Sequence, residues 1–239
     1  PGTIVALIKS KRARGPLVKT LVGVESINNV ATIVIFELCK GIATRKLMED
    51  AGGPLAIVGN TLMWIGADVV LGIIAGVILA FIVKYEEEMS LMFGISLLLV
   101  IGNVVFCDWT GKMSFLLVNL LMGMMFANLS HHAHTVLEIF DDVNGLLFAV
   151  FFTLAGTHLD LNNLKIAGLA GAIFIVSRGL VKVFSPRVIG RLFKMPAKFR
   201  NYLGLGLVPQ AGLAVGLVIS LDSGVMGKEF VAAITTVVL

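Results

Sequence analysis

Apolar residues fill long stretches of this chain, and polar residues gather in short links between them. The apolar runs cover about 17–38, 55–83, 90–107, 113–128, 143–157, 163–184, 201–221 and 226–239, and residues 1–8 form the tail of another. Several approach the roughly 20 apolar residues that cross a hydrocarbon core. The pattern predicts an all-α, polytopic helical membrane protein whose partner is the lipid bilayer.

The links carry the orientation signal. Lys9, Lys11, Arg12, Arg14 and Lys19 cluster at 9–19, where Gly15-Pro16 breaks the chain. Lys182, Arg187, Arg191, Lys194, Lys198 and Arg200 cluster at 182–200. Basic residues accumulate on the cytoplasmic side, so both stretches are expected there. An even number of runs separates them, which allows it. The link at 40–53, with Arg45 and Lys46, falls on the other side and fits this orientation less well.

Composition narrows the class further. The chain has 239 residues, 57% hydrophobic and 14% charged, with a mean hydropathy of +0.97. Soluble domains carry about 25% charged residues, so a soluble enzyme and a disordered chain are both excluded. The net charge of +4 follows from cytoplasmic Lys and Arg and calls for no nucleic acid. Cys39 and Cys107 end apolar runs without ligand spacing and read as small apolar residues. The chain opens at Pro1 and stops within the run ending Val238-Leu239, as expected of a segment of a longer transporter-like chain.

Two runs contain helix breakers. One begins at Pro1, and the run 201–221 contains Gly204, Gly206, Pro209 and Gly212. Broken helices at membrane depth are tolerated where the freed backbone lines a cavity, and paired ones mark transporter sites. Gln210 follows Pro209 and has two accounts, a carbonyl offered to a cation or a cap on freed backbone groups.

Four places carry candidate chemistry. Glu25, Ser26, Asn28 and Asn29 interrupt the run 17–38, with Glu25 sharing a helix face with Asn28 and Asn29. An ionisable group at membrane centre costs about 2.5–3.5 kcal/mol on insertion scales, so it faces a bundle interior or a water cavity. Interhelical hydrogen bonding and an ion site remain equally open for this cluster. Arg178, deep in the run 163–184, calls for a carboxylate or carbonyl partner unless it snorkels to the nearby end. Asp68, a lone carboxylate in the longest run, is either a proton carrier or a protonated structural group. Gln210 is the fourth. The cluster His131, His132 and His134 has no acidic or Cys residue at ligand spacing, so no metal is expected. Gly204-x-Gly206 follows no strand and is no dinucleotide fingerprint. The chain shows no nucleophile–base pair and therefore no enzyme signature.

Three segments together resemble the cation:proton antiporter superfamily, most closely its second branch of bacterial sodium/hydrogen and Kef-type exchangers. Pro1-Gly2-Thr3 through Ala13-Arg14-Gly15-Pro16-Leu17 resembles the stretch following that family's first helix break. Phe151-Phe152-Thr153-Leu154-Ala155-Gly156 with Leu159-Asp160-Leu161 resembles its "FFxLAGxxLDL" segment. Tyr202-Leu203-Gly204-Leu205-Gly206-Leu207-Val208-Pro209-Gln210-Ala211-Gly212 resembles its second broken helix. The resemblance implies the sodium/proton antiporter fold, with discontinuous helices crossing in a core domain. Residues 1–54 and 161–239 would belong to the core, 55–84 to a linker helix and 85–160 to a dimer domain. It also implies a homodimer in a bacterial inner membrane, exchanging sodium or potassium for protons without a cofactor.

The chain departs from that branch at one place. Relatives carry Asp-Asp, or Asn-Asp in electroneutral members, where this chain has Asn28-Asn29. A carboxamide does not titrate in the physiological range. The other branch places a Glu shortly before its Asn-Asp in a "GESLLND" run, and Val24-Glu25-Ser26-Ile27-Asn28-Asn29 is a shortened likeness. The expectation is that Glu25 titrates, that Asn28 and Asn29 ligate through amide oxygens, and that Arg178 packs near them. One carboxylate instead of two implies electroneutral exchange. The alternatives are a transport-impaired membrane sensor and a Kef-like potassium efflux channel.

Overall fold

A computed structural model describes residues 15–47, 54–157, 161–207 and 212–221. These residues are all helix and connection: α1 Pro16–Leu47, α2 Pro54–Val83, α3 Met89–Thr110, α4 Phe115–Leu129, α5 Ala133–Thr157, α6 Leu161–Leu192, α7 Ala197–Gly206 and α8 Gly212–Ile219. Among the described residues, 16–43, 58–83 and 89–110 are long and apolar enough to span a membrane. Several helices outrun their apolar stretches. α1 continues through Arg45 and Lys46, α5 starts ten residues before its apolar run, and α6 extends to Leu192. An apolar run marks the part of a helix in hydrocarbon, whereas backbone hydrogen bonding continues into the polar layer beyond it.

Local signals set the helix ends. Gly15 has φ 133, and Pro16 follows it at the first helical position, where its missing N–H costs nothing. Gly111 closes α3 in the left-handed conformation (φ 61), with its N–H bonded to Cys107 O and Asp108 O. Ser114 caps α4 by accepting the Leu117 N–H.

The chain divides into two compact units. One comprises 1–31 and 151–239, the other 32–150, so the division falls within α1, between Ala31 and Thr32. In the second unit, α2 and α4 pack parallel, since position 72 meets 118 and position 76 meets 122. Gly72 and Gly76 lie one turn apart in a Gly-x-x-x-Gly pattern. A Cβ on Gly72 would stand 2.8 Å from Val118 O, and one on Gly76 would stand 2.7 Å from Met122 O. Lipid tails are as apolar as Leu, so such close backbone approach holds helices together where hydrophobic burial alone does not. Ala75, Leu79, Val83, Met92, Met122, Phe126, Ala133 and Val136 form the adjoining core. Asn103 Nδ2 donates to Asn119 Oδ1 at 3.0 Å, joining α3 to α4. The C-terminal half of α1 rests on α2, where Gly41 faces the Thr61 side chain.

In the first unit, α7 lies tightly on α6. A Cβ on Gly204 would stand 2.7 Å from Val183 O and 2.9 Å from Lys182 O. Gly206 faces Leu21 of α1 with equally little room. α7 is described as far as Gly206 and α8 from Gly212. Pro1, Pro209 and Gln210 lie outside the described residues, as does the segment 158–160.

Filling the α2–α4 contact should therefore separate the helices. Gly76→Leu is expected to destabilise the protein by roughly 1–3 kcal/mol, the usual cost of overpacking. Gly66→Ala and Gly94→Ala, where an added Cβ meets nothing within 4 Å, should change stability little. Thermal unfolding of the three variants in detergent compares them, and equal midpoints would remove the packing role.

Candidate functional site

α1 brings Glu25, Asn28 and Asn29 to the first unit on successive turns of one helix. Glu25 is buried, with 1% of its surface exposed, and Asn29 is 9% exposed. Asn29 Oδ1 has no hydrogen-bond partner among the described residues, which leaves a buried acceptor that ordinarily costs stability. Ser26 sits elsewhere. It is exposed, and its hydroxyl donates back to Val22 O at 2.9 Å, the ordinary way a mid-helix serine satisfies itself.

Glu25 and Asn28 open onto a cavity of about 660 Å³ that Arg178 also lines. The structure thus brings three of the sequence-predicted residues to one space within this unit. Val24, Phe174, Val181, Leu203 and Leu207 make much of the remaining wall apolar. Arg178 is half-buried in α6, six residues before the ring of Phe184, which stacks with Arg187 at 5.4 Å.

A fourth charged residue, Lys182, belongs to this site. It lines the cavity one turn after Arg178. Its Nζ donates to Leu207 O at 2.9 Å, at the C-terminal end of α7. Carbonyls at that end of a helix carry partial negative charge, which favours a cation there. The charges of Glu25 and Arg178 both act on the Lys182 ammonium. The close approach of Gly204 to the Lys182 and Val183 carbonyls brings α7 near enough for this bond. Sequence reasoning counted Lys182 in the basic stretch 182–200 and missed it. The signal was available in its i, i+4 spacing from Arg178, which places both on one face.

Asp68 lies in the other unit. It is the one carboxylate of its run, and the backbone N–H of Ser114 donates to its Oδ1 at 3.1 Å. The serine follows Asp68 by 46 residues, beyond any local pattern. His134 has an acidic neighbour that spacing alone also offered, with Nδ1 3.5 Å from Glu138 Oε1. Among the described residues, no group of three or more His, Cys, Asp or Glu is placed to hold a metal ion.

Lys182→Met would remove both the donor to Leu207 O and a positive charge beside Glu25. Stability should fall by roughly 1.5–3 kcal/mol, the range for hydrogen bonds involving charged groups. Adding Glu25→Gln should recover part of the loss, because the stranded buried carboxylate is removed as well. Unfolding midpoints of the single and double variants measure this coupling, and strictly additive losses would argue against it.

The arrangement is a buried carboxylate and two cationic side chains on the wall of one cavity. Such a set suits binding and release of a small cation. Comparison with curated proteins and with solved structures finds no match. The sequence profile of the transmembrane sodium/hydrogen exchanger family, in contrast, matches residues 1–239. Members of that family are integral membrane transporters that exchange cations for protons. The match covers the entire sequence given, and the chain belongs to the transmembrane sodium/hydrogen exchanger family.

Proposed function

We propose that this protein exchanges sodium or potassium for protons one-for-one, with Glu25 as the group that holds either. The carrying observation is the juxtaposition on α1 of a buried carboxylate, Glu25, with a buried amide oxygen, Asn29 Oδ1, that lacks a partner among the described residues. A hard cation takes oxygen ligands of this kind. Asn28 adds a second amide, and it lines the cavity with Glu25, whereas Asn29 is not among the lining residues.

Coupling follows from competition. A carboxylate holding a proton is a poor ligand for an alkali ion, and a bound alkali ion disfavours the proton. Each passage of Glu25 across the membrane then carries one positive charge, as either species. Arg178 and Lys182 are fixed cations near the carboxylate, and they stabilise it between the loss of one ligand and the arrival of the next. The amides at positions 28 and 29 cannot take a second proton. Exchange is therefore electroneutral. We further propose that it works in the lipid bilayer as a homodimer, which rests on the family resemblance alone.

Proteoliposome exchange at imposed membrane potentials tests the stoichiometry. Moving one unbalanced charge across 100 mV is worth about 2.3 kcal/mol, or roughly fifty-fold in the equilibrium, so a flat response is distinguishable from an electrogenic one. The parent protein should show no dependence on potential. Glu25→Gln should abolish exchange while leaving the fold intact, because the amide is nearly isosteric. Asn29→Asp should introduce a dependence on potential by supplying a second titrating group. Unchanged transport in Glu25→Gln would remove Glu25 from the mechanism. Absence of proton-coupled flux in the parent would favour the transport-impaired sensor or, if potassium still passed, the channel.

A further inference from the structure

The second unit holds its own buried ionic cluster. Asp68 of α2 is 2% exposed. Ser114, the N-cap of α4, fastens two carboxylates at once. Its backbone N–H donates to Asp68 Oδ1 at 3.1 Å, and its hydroxyl donates to Glu37 Oε1 of α1 at 2.6 Å. Both acids therefore meet the N-terminal end of α4, where partial positive charge favours them. Lys40 Nζ stands 3.9 Å from Glu37 Oε2. A cavity of about 150 Å³ adjoins the cluster, lined by Glu37, Lys40, Thr61, Trp64, Asp68 and Lys112 among others. Asp68 Oδ2 takes no hydrogen bond from any described residue, although its side chain lines this cavity.

Two carboxylates and two ammonium groups line this space, yet neither ammonium is paired with Asp68. Glu37 and Lys40 form one ion pair, and theirs are the charges that reach Asp68. The Lys112 ammonium lies over the Trp64 ring, 5.4 Å from its centroid. Cys107 of α3 is a further titratable neighbour among the described residues, and it feels the Asp68 charge. Asp68 is thus a buried carboxylate with one backbone donor and no cation of its own. A carboxylate so placed is neutralised by a ligand of charge +1. Lys40 and Lys112 already occupy the cavity wall, and an alkali ion would add a third cation with its coordination shell. A proton requires neither, and it can bind directly on Oδ2. The cavity exceeds by far the 10–15 Å³ or so that one water needs, so water can deliver the proton.

We propose that Asp68 is a second proton-binding site of this protein, reached through the cavity beside Glu37 and Ser114 and separate from Glu25. This inference does not rest on the role given to Glu25. The released proton leaves to water in the cavity, and the carboxylate that remains keeps its bond from the Ser114 N–H.

Infrared difference spectroscopy of the full-length protein in lipid, between acid and alkaline pH, tests the site. The probe is the carbonyl stretch of a protonated carboxyl. In the Glu25→Gln background one component of this absorption, set apart from the solvent-exposed carboxyls by its buried surroundings, should persist to higher pH than the rest, and adding Asp68→Asn should delete that component. Proton release in a pH jump should fall by one per chain on the same substitution. Ser114→Ala and Glu37→Gln, which alter the surroundings of Asp68 but leave its carboxyl, should shift the band. A band unaffected by Asp68→Asn overturns the assignment. Should Asp68→Asn fail to fold, a band unmoved by both Ser114→Ala and Glu37→Gln overturns it equally. Loss of the band on adding sodium or potassium at constant pH, still in the Glu25→Gln background, would make this an alkali-ion site and would also overturn the proposal.

Discussion

Hydrocarbon offers no hydrogen bonds, so polar atoms carried to membrane depth are drawn to partners inside the protein. That constraint organises both units of this chain. In the first, Lys182 reaches the carbonyl that ends α7 and lies within the field of Glu25 and Arg178. In the second, Ser114 collects Asp68 and Glu37, and Lys40 offsets one of the two charges. Several hydroxyls outside these clusters turn back to their own helices, as Thr20, Ser26 and Ser96 do to the carbonyl four residues earlier.

The same environment changes what apolar packing does. Ile73, Ile74, Ile78 and Phe81 are substantially exposed on α2. On a soluble protein such a face would be a liability, whereas in a membrane transporter it meets lipid. Helix association then depends on contacts lipid cannot imitate. The backbone of α2 meets that of α4 at Gly72 and Gly76, and the Asn103–Asn119 bond joins α3 to α4. In the first unit the glycines of α7 serve the same end and have a chemical consequence. With a side chain at 204, α7 would stand off from α6, and the Lys182–Leu207 bond would lengthen.

The Asn28-Asn29 pair sets the chemistry of the proposed exchange site by subtraction. Amides supply oxygen ligands without charge, so a single carboxylate, Glu25, remains on that part of α1. Two cations, Arg178 and Lys182, face the same cavity. A site with one anion and two fixed cations is not biased toward holding further positive charge permanently, and release is as accessible as binding. This balance is what an exchanger needs at each end of its cycle.

Much of this was determined by the sequence alone. Hydrophobic runs of membrane length with scarce charge specify spanning helices, because the cost of charge and of unpaired backbone in hydrocarbon is large and local. The Gly-Pro punctuation specifies where α1 starts. Glu25, Asn28 and Arg178 were identifiable because an ionisable or amide group inside an apolar run is conspicuous. Lys182 was not, since a lysine near the end of a run is indistinguishable from a loop lysine until α7 presents a carbonyl to it. Nor did the run around Asp68 reveal its attachment to Ser114 and, through it, to Glu37. Those three residues lie on different helices, and hydrogen bonds across 46 and 77 positions leave no trace in periodicity. Local energetics fixes which residues enter the membrane, but only the folded arrangement of helices decides which of their polar atoms meet.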